Sequence, residues 1–288
     1  KNDDAGDIPE KTDHALHFAS DYRIGRFYLR GGFARYGSNF SSVGGYATRD
    51  FQEYFQETEI DLIKDTRLRL SYRRNRDNLD KHKSTTTFQE SPAVKLSLRP
   101  LKNTDVDLGY DLTRRDATDD TVEEVTRRAF LRLRQGIGPA SISLEYQKTR
   151  IDDNIDNTRE RLNDSINFRW DTNFSLKDIN FSPSLEYGIT HDEYRHIAKS
   201  DLTQNYGLGL RLTFPRDWEI NSKVNFSDFN SYQPDADQLT SRYEFNLLKR
   251  FGQNYEFSLN YERSGYDYET AEEDYSETLV SAKLNLRF

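Results

Sequence analysis

Apolar residues fall at every second position along most of this chain. In "TRLRLSYRR", Leu68, Leu70 and Tyr72 lie on one side and Arg67, Arg69, Ser71 and Arg73 on the other. "VKLSLR" sets Val94, Leu96 and Leu98 against Lys95, Ser97 and Arg99. "DVDLGYDL" sets Val106, Leu108, Tyr110 and Leu112 against Asp105, Asp107, Gly109 and Asp111. "SISLEY", "INFRW", "GLGLRLTF", "KVNF", "YEFNL" and "YEFSLNY" repeat the theme. A period of two belongs to a strand with one apolar and one polar face. The closing "ETLVSAKLNLRF" keeps it to the end, with Val280, Ala282, Leu284, Leu286 and Phe288 against Ser281, Lys283, Asn285 and Arg287.

The connections alternate in kind. Short ones are "IKDT" (Ile63–Thr66), "RPLKNT" (Arg99–Thr104), "RQGIGP" (Arg134–Pro139), "FPRD" (Phe214–Asp217) and "RFGQN" (Arg250–Asn254). Between them lie longer, more acidic ones: "NLDKHKSTTT", "RRDATDDT", "RIDDNIDN", "SYQPDADQ" and "DYETAEEDY". Tight turns alternating with longer loops, between long alternating segments, predict an all-β fold. It is a transmembrane antiparallel up-and-down β-barrel of about 14–16 strands, with short periplasmic turns and longer extracellular loops. The turn spacing also falls in the range of helical repeats, about 34 residues in the tetratricopeptide case. Those need apolar residues at i, i+3 and i+4, which this chain does not provide. A soluble β-sandwich covers its inner face with a second sheet, and the polar faces here carry too many Arg, Lys, Asp and Glu for a core.

Counting back from Phe288 places about fourteen strands from near Arg26 onward, and an even number brings both ends to one side of the membrane. Residues 26–288 are therefore assigned to the barrel and 1–25 to a polar N-terminal segment. Within the latter, "HALHFASDYRI" (His14–Ile24) also alternates. It is an added strand, part of a long first strand broken at Gly25, or a segment inside the pore. The last strand is expected to close the ring against an early one, the strand carrying Phe27, Leu29 and Phe33.

Composition narrows the class. A hydrophobic fraction of 34% and a mean hydropathy of -0.94 are poor for a chain that must fill a core. Aromatic residues at 13% nevertheless argue against disorder. With no Cys there is no disulfide framework, thiolate metal site or cysteine nucleophile. No apolar run is long enough for a membrane-spanning helix. The polar start "KNDDAGDIPEKTD" and the absence of Met fit a processed chain. A net charge of -8 gives no footing for nucleic acid.

The closing "LVSAKLNLRF" resembles the C-terminal signature of Gram-negative outer-membrane β-barrels, which end in an aromatic preceded by alternating apolar residues. The resemblance implies an outer-membrane location, a lipid and lipopolysaccharide surround, and recognition of the last strand by the barrel-assembly machinery. Segments such as "DVDLGYDLTRRDATDD" and "FSLNYERSGYDYETAEEDY" resemble porin-like barrels and the barrel domains of exopolysaccharide exporters. The fold itself hosts many functions.

The inward parity supplies the candidate lining. One wall is rich in cations: Arg67, Arg69, Arg73, Lys95, Arg99, Arg128, Arg132 and Arg134. Beside or opposite it come Glu57, Glu59, Asp61, Asp105, Asp107 and Asp111, and further round Glu145, Glu186, Glu219, Glu244, Glu256 and Glu262. These charges either pair across neighbouring strands and stiffen a wet wall or set a transverse field that guides a polar solute. Phe55, Phe130 and Phe229 are inward aromatics by parity. Phe214, Trp218, Phe251, Tyr255 and Phe288 cluster at the short-turn end, and Tyr187, Tyr194, Tyr232, Tyr266, Tyr268 and Tyr275 toward the long loops. Together they read as two interfacial girdles; carbohydrate stacking by the loop tyrosines is the other reading.

Catalytic chemistry is thinly provided. "DDNIDN" has Asp152, Asn154 and Asp156 at calcium-loop spacing, but Asn157 stands where the loop needs Gly and Asn163 where it needs Glu. The histidines are His14, His17, His82, His191 and His196. "HDEYRH" puts His191 beside Asp192 and Glu193 with no nucleophile motif. The expectation is a non-enzymatic channel without cofactor or metal, passing a polar solute or polysaccharide through a charged lumen. The alternative is a structural or secretion and assembly barrel that displays loops or holds a periplasmic or lumenal partner.

Overall fold

A computed structural model describes residues 14–38, 50–79, 81, 84–234, 236–252, 254–269 and 274–286. Phe288 and His82 lie outside the described residues. The strands are β1 (Ala15–Ile24), β2 (Phe27–Tyr36), β3 (Phe51–Ile63), β4 (Thr66–Asp77), β5 (Thr87–Leu101), β6 (Thr104–Ala117), β7 (Glu123–Ile137) and β8 (Ala140–Asp153). A short 3-10 turn at Asn157–Arg159 leads to β9 (Arg161–Thr172), β10 (Phe174–Leu176), β11 (Ile179–Tyr194) and β12 (Lys199–Phe214). The chain continues through β13 (Trp218–Asn230), β14 (Gln238–Phe251), β15 (Tyr255–Tyr268) and β16 (Tyr275–Leu286).

Each strand pairs with the next in an up-and-down meander, β10 alone lying off the path beside β11. β9 and β10 share one edge of β11, and the break between them falls opposite Pro183, which has no N–H to offer the ladder. Counted as one interrupted segment, they leave fourteen spanning segments from Phe27 onward, and β1 adds a fifteenth. The stretch His14–Ile24 thus forms a strand, paired with β2 from Ala15↔Tyr36 to Ile24↔Phe27. Gly25, at φ +55°, makes the turn between them. The strand carrying Phe27, Leu29 and Phe33 is not a free closing partner, because β1 and β3 occupy both its edges.

The short turns use residues that tolerate the left-handed region: Asp65 (φ 61°), Asn103 (φ 64°), Gly138 (φ 57°) and Gly252 (φ 64°). At the other end, Asn78 (φ 53°) ties the connections between β2 and β5 together. Its amide nitrogen donates to the carbonyls of Asp50 (main-chain N, 3.0 Å) and Thr85 (side-chain Nδ2, 2.9 Å), and Asp50 Oδ1 accepts from Leu79 N at 2.6 Å. Only 2% of Asn78 is exposed, so the hydrogen bonds replace water it has lost.

By contact density the chain divides into two compact units, 1–96 with 109–128 and 151–159, and 97–108 with 129–150 and 160–288. Neither has a conventional core. Among the described residues the one buried apolar side chain is Ala117, while Leu70, Tyr110, Leu133, Leu144, Ile166, Leu208 and Phe245 stand exposed in mid-strand. An apolar strand face left open over so many residues is unstable in water and stable in hydrocarbon. The strands, 12 to 16 residues for most of β3–β16, are long enough to cross at a tilt, which takes about 9–11 residues.

Candidate functional site

Cross-strand register decides which polar side chains meet. In the first unit Asp61 faces Arg67 and Glu59 faces Arg69 across β3 and β4, a pairing that continues past a bulge between Asp61 and Ile63. The side chains form a ladder. Asp61 takes Arg67 at 2.9 Å and Arg23 at 3.8 Å, Glu59 takes Arg67 at 3.5 Å and Arg69 at 3.2 Å, and Glu57 takes Arg69 at 2.7 Å. Arg73 lies 3.8 Å from Glu53. On the same face Phe55 lies with its ring against Gly32 and under the Arg30 guanidinium, 5.7 Å away. Asp111 accepts from Arg128 Nε at 2.8 Å.

The second unit repeats the scheme. Arg99 donates to Asp105 at 2.8 Å, Ser97 to Asp107 at 2.6 Å and Arg132 to Glu145 at 2.8 Å. Arg134 alternates onto the same face as Arg132, and Lys95, in the first unit, stands on its polar face between Val94 and Leu96. Of the glutamates expected further round, Glu145 pairs with Arg132, and each of the others has a cation that sequence parity did not single out. Glu186 takes Arg169 (3.0 Å) and Lys223 (3.4 Å), Glu219 takes Arg211 (2.8 Å), and Glu256 takes Arg250 (3.2 Å). Arg242 serves both Glu244 (2.8 Å) and Glu262 (2.9 Å). Within each unit the charges neutralise one another locally, because the register sets Arg or Lys beside Asp or Glu, the cross-strand pairing being one of the two readings the inward parity allowed. The signal was in the sequence, since Arg169, Arg211, Lys223, Arg242 and Arg250 share the inward parity.

The apolar face carries the aromatic band of the short-turn end. At the short-turn end Lys249 is inserted between Trp218 (5.1 Å) and Phe251 (5.2 Å) and donates to the carbonyl of Arg216. Phe214 pairs with Trp218, and Phe251 with Tyr255. Toward the long loops Tyr194 meets Tyr232 edge-on at 5.1 Å, and Tyr266 stacks on Tyr275 at 4.5 Å, with Tyr268 beside it; alternation sets Tyr194 on the face of Glu186 and sets Tyr266 and Tyr268 on that of Glu256 and Glu262, the polar side of the sheet. Tyr187 sits in mid-β11 against Tyr206, at 5.2 Å. It lies nine positions from the turn at Asp178, about the height a spanning strand reaches at the far interface.

Two motifs are taken apart by the fold. Of the acidic loop, Asp152 pairs with Arg127, Asn154 donates to Glu123 at 2.8 Å, and Asp156 accepts from Thr158 N at 3.0 Å, so the three do not converge. His191 and Glu193 alternate onto one face of β11 and Asp192 onto the other, where it accepts from Asn163 at 2.9 Å.

No protein-family model and no curated protein sequence matches the chain. Among solved structures it is similar to an anion-selective porin from Comamonas acidovorans, at 11% identity and a TM-score of 0.48, over 96% of this chain and 100% of that one. It is also similar to a bacterial polysaccharide outer membrane secretin, at 11% identity and a TM-score of 0.44, over 96% and 91%. CdiB from Acinetobacter baumannii is matched at 12% identity and a TM-score of 0.45, over 95% and 59%. These likenesses are loose. The fold class stands on the meander, the strand lengths and the exposed apolar faces: a transmembrane up-and-down β-barrel, an architecture of outer membranes.

Proposed function

We propose that the chain is a non-enzymatic channel of a Gram-negative outer membrane, in which the polar strand faces line a water-filled lumen. It passes a polar solute or a polysaccharide chain. One observation carries this reading: in each unit the polar strand face is lined with solvent-exposed ion pairs, such as Arg67–Asp61 in the first and Arg250–Glu256 in the second. The side chains of these four residues are 31% to 52% exposed, as a surface kept wet requires. A face of this polarity excludes apolar solutes, because crossing it would strip the charges of water. Lipopolysaccharide and the barrel-assembly machinery are the partners this location implies.

Planar-bilayer recording of the purified protein tests the reading. A steady open conductance that survives shortening of the 231–237 and 269–274 loops supports a channel. A protein that folds and inserts yet stays closed in both forms overturns it.

A further inference from the structure

The polar face of β9 and β11–β15, all within the second unit, is not uniformly charged. It holds two hollows of about 500 Å³ and 490 Å³. The first is floored by Gly188 and Gly207 and walled by Asn167, Asn205 and Asn225. Gly188 lies across from both Asn167 and Asn205, and Gly207 across from Asn225. The hollow exists because these glycines have no side chain: a Cβ on Gly188 would stand 2.7 Å from Asn167 Oδ1, and one on Gly207 3.2 Å from Asn225 Oδ1. The second hollow is floored by Ser184 and Gly209 and edged by Asn221, Asn246 and Asn260. Asn225 lies four positions along the strand from Asn221, so the hollows lie about 13 Å apart.

The chemistry of the first hollow is specific. Among the described residues, no hydrogen bond engages the side-chain amides of Asn167, Asn205 or Asn225. Each offers two donors and an acceptor toward open space. The charges that form the sill between the hollows already have partners: Arg169 and Lys223 both hold Glu186, and Arg242 holds Glu244 and Glu262. An anionic ligand would have to displace those carboxylates, and an apolar one would leave three amides desolvated without replacement. A neutral molecule dense in hydroxyls, each a donor and an acceptor, satisfies the amides and disturbs no ion pair.

We infer that this trough binds a neutral, hydroxyl-rich chain, an uncharged oligosaccharide, with the two hollows as successive subsites. The inference rests on the channel reading for its setting but makes its own demand on affinity. Maltohexaose is the probe, with an oligogalacturonate of equal length as its acidic counterpart. Equilibrium dialysis against the folded protein, in a zwitterionic detergent lacking sugar headgroups, is paired with blockade of bilayer current. The wild type is expected to bind maltohexaose and to bind oligogalacturonate less well. An N205A/N225A variant, its folding checked by heat-modifiable gel mobility, is expected to lose about tenfold in maltohexaose affinity, the worth of one or two hydrogen bonds.

Open conductance with neither binding nor blockade by maltohexaose overturns the trough and keeps the channel. Binding by a protein that never conducts keeps the trough and overturns the channel. Equal or tighter binding of oligogalacturonate, or undiminished maltohexaose binding by the folded variant, overturns the assignment.

Discussion

The Lys249 ammonium stands 5.1 Å from the Trp218 ring and reaches past it to the carbonyl of Arg216 in the adjoining turn. Lys249 is only 9% exposed although its position faces outward from the sheet. A long stem laid along aromatic rings with its head on a turn carbonyl is how lysine anchors an apolar surface at a water boundary. Removing the head loses a cation–ring contact and a charge-assisted hydrogen bond. K249M is therefore expected to lower folding stability by about 2 kcal/mol. Urea titration in lipid vesicles, followed by tryptophan emission, measures it; an unchanged midpoint would show that the anchor contributes nothing.

Gly32 and Phe55 form a second dependent pair. A Cβ at position 32 would lie 2.5 Å from Phe55 Cε1 and 2.8 Å from the backbone oxygen of Phe18. G32A is expected to cost roughly 1–3 kcal/mol, the usual range for overpacking. Adding F55L should restore part of that and not all, since the Phe18 oxygen remains. Full additivity in the double-mutant cycle would refute the contact.

Neutralising the ladder separates its electrostatic from its structural role. With E57Q/E59Q, Arg69 loses both carboxylates and Arg67 retains Asp61 alone. These side chains are partly exposed, so stability should change by no more than about 1 kcal/mol. In a channel lined by them, the zero-current potential across a KCl gradient should move toward the chloride value. No movement would mean that ions do not pass this face.

Asp119, in the connection between β6 and β7, is held below its usual carboxylate range by the Thr121 hydroxyl and then by Thr85, against a smaller opposing effect of desolvation. A lowered folded pKa gives a contribution that is complete above the unfolded value near 3.8 and lost as pH falls through the folded one. The loop should keep this tie from neutral pH down to about 4 and release it only in stronger acid. Amide exchange at Thr121, whose N–H donates to Asp119 at 3.3 Å, reports this directly. Release between pH 5 and 7 would contradict it.

Leu68, Leu70 and Tyr72 against Arg67, Arg69 and Arg73 were enough to place the fold class, since a two-residue period leaves each side chain only two directions. The turn at Lys102–Asn103 and the one at Gly252 were legible for a similar reason: few residues accept a positive φ. The strand status of His14–Ile24 was not, because alternation alone does not say whether a segment finds an edge to pair with; β2 supplies it.

By itself, then, the sequence determined the faces, the turns and the membrane class, all of which follow from local periodicity and backbone sterics. The tertiary structure alone decided the partners. Glu219 was visible as an inward acid, but only the offset of β12 against β13 brings Arg211 to 2.8 Å from it. Gly188 and Asn167 lie far apart in the chain and become floor and wall of one hollow only through the β9–β11 register. Register is a long-range property, set by turn geometry and by irregularities such as the bulge at Asp61 and the break opposite Pro183.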